Sequence, residues 1–144
     1  YVRGSNLVSV MSQYSMLDRR PEEEVLPLLA EHGIGLIARG PLAGGILTAS
    51  GGRKAERDYL DYSRDELPVV RRKLVQLSGG NRSLEQTAIR YVLDEPGTAA
   101  ALPGASNPDQ LRGTSSAAEA EPLTPEERAA IRSVTHANLY SQHR

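Results

Sequence analysis

The chain reads as an α/β domain built on a parallel sheet, and three observations predict this class. Apolar, strand-like runs recur at residues 7–11, 34–38 and 98–102, with helically patterned stretches between them. Four helix starts are written in capping chemistry. The last two runs stop abruptly in turns rich in Gly and Pro, at 40–45 and 103–108.

The first run, Leu7-Val8-Ser9-Val10-Met11, carries β-branched residues that suit a pleated surface. A charged turn follows, Asp18-Arg19-Arg20-Pro21. Residues 22–33 then read as a helix. Glu22, Glu23 and Glu24 suit the positive end of its dipole and are expected to be a solvated helix start with no acid/base role. Val25, Leu28 and Leu29 share a face, His32 falls in the last turn, and Gly33 is placed to end the helix. Pro27 conflicts with this pattern, because it cannot donate to the carbonyl of Glu23. Either the helix bends there or its regular part starts late.

Ile34-Gly35-Leu36-Ile37-Ala38 follows almost without a loop, as in a βαβ unit. Residues 48–62 carry Gly51-Gly52-Arg53-Lys54 and few apolar side chains, which predicts a long loop of the kind that often serves function. Ser63 with Glu66 forms a capping box ahead of Leu67, Val70, Leu74 and Leu77. Ser83 with Gln86 forms another ahead of Leu84, Ala88, Tyr91 and Val92. Gly79-Gly80 separates the two helices. Asn107-Pro108-Asp109-Gln110 and Thr124-Pro125-Glu126-Glu127 open two more, with Pro at the first helical position. Thr98-Ala99-Ala100-Ala101-Leu102 is weak by propensity, since Ala is a poor strand former. Its place between helices and its end at Pro103-Gly104 predict a buried strand. Three parallel strands leave two open edges and cannot close a barrel by themselves.

Composition excludes several functions. The 144 residues are enough for one domain with a core. Seventeen basic residues balance eighteen acidic ones, which leaves no electrostatic footprint for nucleic acid or a membrane surface. Cys is absent, so disulfides and thiolate chemistry are excluded. His32, His136 and His143 lack metal-ligand spacing, and no metal site is expected; His136 and His143 read as surface residues. No apolar run reaches the roughly 18 residues of a membrane span. The opening Tyr1-Val2-Arg3-Gly4-Ser5-Asn6 is unlike a signal peptide, which fits a cytoplasmic protein. It also lacks Met, so the chain is expected to be processed or part of something longer. Phe and Trp are absent, and the aromatic share of the core falls to six Tyr, with Tyr14 and Tyr91 expected to pack rather than react.

Two Gly-rich turns at the same end of their strands suggest one site built from backbone amides, which suits an anion such as a phosphate. The residues of these turns also carry a family likeness. Residues 8–19 (Val-Ser-Val-Met-Ser-Gln-Tyr-Ser-Met-Leu-Asp-Arg), residues 33–42 (Gly-Ile-Gly-Leu-Ile-Ala-Arg-Gly-Pro-Leu) and Leu102-Pro103-Gly104-Ala105-Ser106 stand in an order and at a spacing that resemble the C-terminal half of an aldo-keto reductase. The likeness covers nearly the whole chain. It implies an incomplete part of a (β/α)8 TIM barrel spanning 1–144: three C-terminal βα units and a C-terminal helix.

The resemblance implies an oxidoreductase that uses NADP(H), with NAD(H) as the alternative, on a small carbonyl or alcohol substrate. Working residues of such barrels lie at the C-terminal ends of the strands. By resemblance, Gln13 holds the nicotinamide carboxamide and Arg39 stands where the family often stacks an aromatic ring. Gly40, Pro41, Leu42 and Gly44 belong to the pyrophosphate turn. Gly104, Ala105 and Ser106 hold the adenosine phosphate end, and Gln110 and Thr114 fall at adenosine contacts. The chain departs from the family in having Gly113-Thr114 where Glu-Asn is common. Gly104 and Gln110 stand where some members place a cation; Arg53, Lys54 and Arg112 are the cations that could compensate. The family's catalytic Asp, Tyr, Lys and His come from the other half of the barrel, so no catalytic residue is expected here. Substrate specificity is expected to reside partly in the 48–62 loop and the C-terminal segment. Two other readings stand beside the enzyme: a nucleotide-sensing barrel module, or an inactive truncated fragment that self-associates through its open sheet edges.

Overall fold

The computed structural model describes Gly4 and residues 6–138; the expected position of His143 lies outside them. Three strands, β1 (Ser9–Gln13), β2 (Gly35–Arg39) and β3 (Thr98–Leu102), pair in parallel in the order β1-β2-β3. The first strand begins two residues later than the apolar run. Leu7 and Val8 are exposed, and the ladder starts where the Gly35 N–H donates to the carbonyl of Val8 at 2.9 Å. Ser9 then faces Gly35 and Gln13 faces Arg39 in register. A bulge between Leu36 and Ile37 shifts the pairing with β3.

Helix α1 (Val25–Glu31) starts late, which resolves the conflict at Pro27. Proline sits in the first turn, where its missing N–H would have had no intrahelical partner. The triple Glu therefore does not open the helix. Residues Arg20–Glu22 instead form a 3-10 turn, and Glu22 is drawn into the protein. Its Oε1 accepts from Tyr14 Oη at 2.9 Å and Tyr91 Oη at 2.7 Å, while Arg19 Nε and Nη2 bond its Oε2 at 3.1 and 3.0 Å. This corrects the expectation of a solvated start for Glu22 alone, whose carboxylate two buried tyrosines and an arginine recruit; Glu23 and Glu24 are exposed as expected.

Helices α2 (Leu67–Leu77) and α3 (Leu84–Leu93) connect β2 to β3; α4 (Pro108–Ser115) and α5 (Pro125–Val134) follow β3. The capping boxes at Ser83/Gln86 and Thr124/Glu127 form in full. Only half of the Ser63/Glu66 box forms. Ser63 Oγ accepts the Glu66 N–H at 3.2 Å, but the Glu66 carboxylate turns to His136 Nε2 at 2.7 Å. His136 is not a plain surface residue either: its ring stacks on Tyr62 at 4.2 Å, and its N–H donates to Tyr62 Oη at 2.7 Å.

The core lies on one face of the sheet. Leu36 and Ala38 of β2 meet Leu29, Leu74, Ala88, Val92 and Ile131 from the helices in one apolar cluster. Tyr14 and Tyr91 are fully buried, as expected, with ring centroids 5.9 Å apart. Arg128 lies 4.3 Å over the Tyr91 ring and pairs with Glu95. The opposite face carries Met11 and Leu102, both exposed. A parallel sheet normally buries both faces; this one buries one. Among the described residues no helix is long and apolar enough to cross a membrane, and no cluster of His, Asp or Glu could hold a metal.

Candidate functional site

The two Gly-rich turns meet at the C-terminal ends of β2 and β3. After Arg39 the chain reverses at Gly40, whose φ of +67° favours glycine. Ala43, Gly44 and Gly45 then follow with φ of +48°, +66° and +91°. Ala43 is buried and is not glycine, so the turn holds a strained residue next to the site. Its geometry is fixed by the Ala43 and Gly45 N–H groups, which donate to the carbonyls of Gly40 and Leu42, each at 2.9 Å.

The loop beyond is anchored from two helices. Arg71 of α2 donates to the carbonyl of Ile46 through Nε at 2.9 Å and to that of Thr48 through Nη2 at 2.6 Å. Glu85 of α3 accepts the Ala49 N–H at 3.0 Å. The loop is partly regular, since Gly51–Glu56 form a 3-10 helix. That helix brings Lys54 back over the turn, where Nζ donates to the Gly44 carbonyl at 2.9 Å.

On the β3 side, Pro103 to Ser106 lead into α4. Asn107 Oδ1 accepts the Gln110 N–H at 2.9 Å, and Gln110 Oε1 accepts the Ser106 N–H at 2.7 Å. The Gln110 side chain thus fixes the last residue of the turn.

Between these walls runs a cleft of about 460 Å³. Gly40, Leu42 and Gly44 line one side; Gly104, Ala105, Ser106, Gln110 and Thr114 line the other. Gly45, Thr48, Ser50, Lys54, Glu85 and Leu102 complete it. Three predicted residues lie off this cleft. Pro41 is buried in the turn. Gln13 and Arg39 face each other at the strand ends, and Gln13 Nε2 donates to Tyr59 Oη at 3.3 Å. Burial first, and then the charge of Asp18, raise the Tyr59 pKa above its ordinary value. Of the three compensating cations, Lys54 reaches the cleft. Arg53 lines a second, more open cleft of about 690 Å³ beside it, and Arg112 pairs with Asp109 on the surface.

Sequence reasoning missed Arg71 and Glu85. Their positions were legible as helical, but nothing in the sequence said which loop each helix would meet.

The sequence and the parallel βα order are matched by known proteins. The model of the aldo/keto reductase family matches residues 3–136. The chain belongs to the aldo/keto reductase family. It is 43% identical over its whole length to the uncharacterized oxidoreductase YqkF of Bacillus subtilis, of which it covers 48%. It is 31% identical over 77% of its length to a probable voltage-gated potassium channel subunit beta of Arabidopsis thaliana, covering 38% of that protein. The holo form of the aldo-keto reductase AKR11C1 from Bacillus halodurans superposes with a TM-score of 0.86 at 42% identity, over 99% of this chain and 48% of that one. The chain thus spans about half the length of these reductase relatives, and it corresponds to the C-terminal half of an aldo-keto reductase. Its three strands fit an open arc of the TIM barrel, which explains the uncovered sheet face.

Proposed function

We propose that this chain forms the dinucleotide-binding side of an NAD(P)H-dependent reductase that converts aldehydes or ketones to alcohols. One observation carries the reading: two glycine turns from different strands, far apart in sequence, line one cleft with a lysine. The cleft suits a diphosphate. A Cβ built on Gly44 or Gly104 meets nothing within 4 Å, so there is open space above both backbones. Lys54 supplies positive charge at the Gly44 turn, and Thr48, Ser50 and Ser106 supply hydroxyls.

When bound, a nicotinamide cofactor supplies the hydride. The residues of this chain bind and orient it. The turns of Gly40 to Gly44 and Gly104 to Ser106 hold its phosphates, and Gln110 and Thr114 lie at its nucleoside end. In this reading Gln13, at the end of β1, hydrogen-bonds the nicotinamide amide beyond the cleft; Arg39 is its partner in register. We assign the proton-donating catalytic group to the half of the barrel outside this chain. NADPH is the proposed cofactor, with NADH as the alternative, and the loop around Arg53, Arg57 and Tyr59 is the proposed substrate-facing segment.

The test is cofactor titration of the intact protein that carries this chain, followed by the fluorescence of the reduced nicotinamide. Lys54→Ala should weaken NADPH binding by roughly tenfold, the loss of one charge-assisted contact. Gln13→Ala should weaken binding by a factor of several. Unchanged affinity in both variants would sink the assignment. The potassium-channel relative favours a second reading, a nucleotide-sensing module. Tight NADPH binding without oxidation in the presence of any aldehyde tested would select it.

A further inference from the structure

Resting on the dinucleotide reading above, we propose that Glu85 is a specificity residue that accepts a hydrogen bond from the exocyclic amine of the cofactor's purine. Glu85 lies in the first turn of α3 and lines the cleft together with Gln110 and Thr114 of α4. Its carboxylate is fixed on one side: Oε1 accepts the Ala49 N–H at 3.0 Å. The other oxygen, Oε2, is on the α4 side, 3.9 Å from the point that a Cβ on Gly113 would occupy. Glycine at 113 leaves the space beside that oxygen clear.

Position along the cleft selects the part of the ligand. Lys54 and the Gly44 turn mark the diphosphate end. Ser106 and Gln110 follow on the other wall, joined at 2.7 Å. Gly113 is three residues past Gln110, about 4.5 Å further along the helix and away from its N-terminus. Glu85 therefore stands at the far, nucleoside end. An ionised carboxylate only accepts hydrogen bonds. It repels a phosphate and favours a donor, and the donor on the base is the exocyclic amine of adenine. Hypoxanthine carries a carbonyl oxygen at that position, so its dinucleotide would set an acceptor against an acceptor.

The experiment compares NADPH with nicotinamide hypoxanthine dinucleotide phosphate, each titrated into the intact protein. Wild type should bind the adenine form roughly tenfold more tightly. Glu85→Ala should bring that ratio to about one. Glu85→Gln keeps its acceptor toward Ala49 and turns an amide N–H toward the base, so it should favour the hypoxanthine form. The ratio is taken within each variant, so a general loosening of the 49 loop cancels. Equal binding of both forms by wild type, or an unchanged ratio in Glu85→Ala, would overturn the role of Glu85 and leave the cofactor reading intact. Binding of neither form would overturn both.

Discussion

Gly51 shows how tightly a single residue is constrained here. A Cβ at this position would lie 2.3 Å from the Ile46 carbonyl oxygen and 2.4 Å from that of Gly45. Both are backbone atoms, so the clash cannot be relieved by a side-chain rotation. Gly51→Ala should therefore push the 3-10 helix carrying Lys54 away from the turn. The expected cost is about 1–3 kcal/mol in thermal or denaturant unfolding, with a matching loss of cofactor affinity. Glu22 gives a residue-scale prediction of another kind. Burial disfavours its charged form, but bonds from Arg19 and Tyr91 outweigh that and hold its pKa below the ordinary 4.5. A depressed pKa adds stability that is fully present above 4.5 and drains as pH falls through the folded value. Glu22→Gln should cost about 2 kcal/mol at neutral pH. Its melting temperature should start to converge on that of wild type as pH falls below the ordinary 4.5, and parallel curves would remove the carboxylate from the account.

At the scale of elements, the cleft depends on two helices gripping one loop. Arg71 from α2 binds loop carbonyls, and Glu85 from α3 binds a loop amide. Arg71→Ala removes three hydrogen bonds at once, the third running from Nη2 to the Ala49 carbonyl at 3.3 Å. Global stability should fall by only about 1–2 kcal/mol, because each lost bond contributes little net and the loop's apolar anchors, Ile46, Leu47 and Ala55, stay in the core. Hydrogen exchange should respond more locally. The Gly51 amide, bonded to the Thr48 carbonyl at 3.0 Å, should exchange about tenfold faster, while amides of β2 stay protected. Uniform acceleration would make Arg71 a fold residue and not a loop anchor. The C-terminal end of α5 is held in a comparable way by His136, which spans Tyr62 and Glu66.

For the whole molecule the decisive feature is the uncovered face of the sheet. On that face Met11 is 56% exposed and Leu102 47%. Parallel strands with apolar residues on an open face and two free edges invite association. A polypeptide limited to residues 1–144 should self-associate, with sedimentation velocity showing species larger than a 15.6 kDa monomer. It should also fail to consume NADPH with an aldehyde above a protein-free control. A monomeric, active 1–144 would refute both the edge argument and the placement of the proton donor elsewhere.

Whatever depends on neighbours within a few residues was legible in the chain before any fold was known. The capping boxes at Ser83 and Thr124, the left-handed Gly40 and Gly44, and the βα order all follow from local sterics and hydrogen bonding. The glycine turns were legible as one site because strand direction puts both at the same end. Other features were decided only by tertiary structure. Glu22 reads as helix-start charge until Tyr14, Tyr91 and Arg19 converge on it from distant positions. Glu66 reads as a capping residue until His136, seventy residues away, takes its carboxylate. Lys54 and Glu85 enter the cleft only because a loop folds back and a helix packs beside it. Such partners are set by packing across the chain, and local sequence carries no signal for a contact that the rest of the fold must first create.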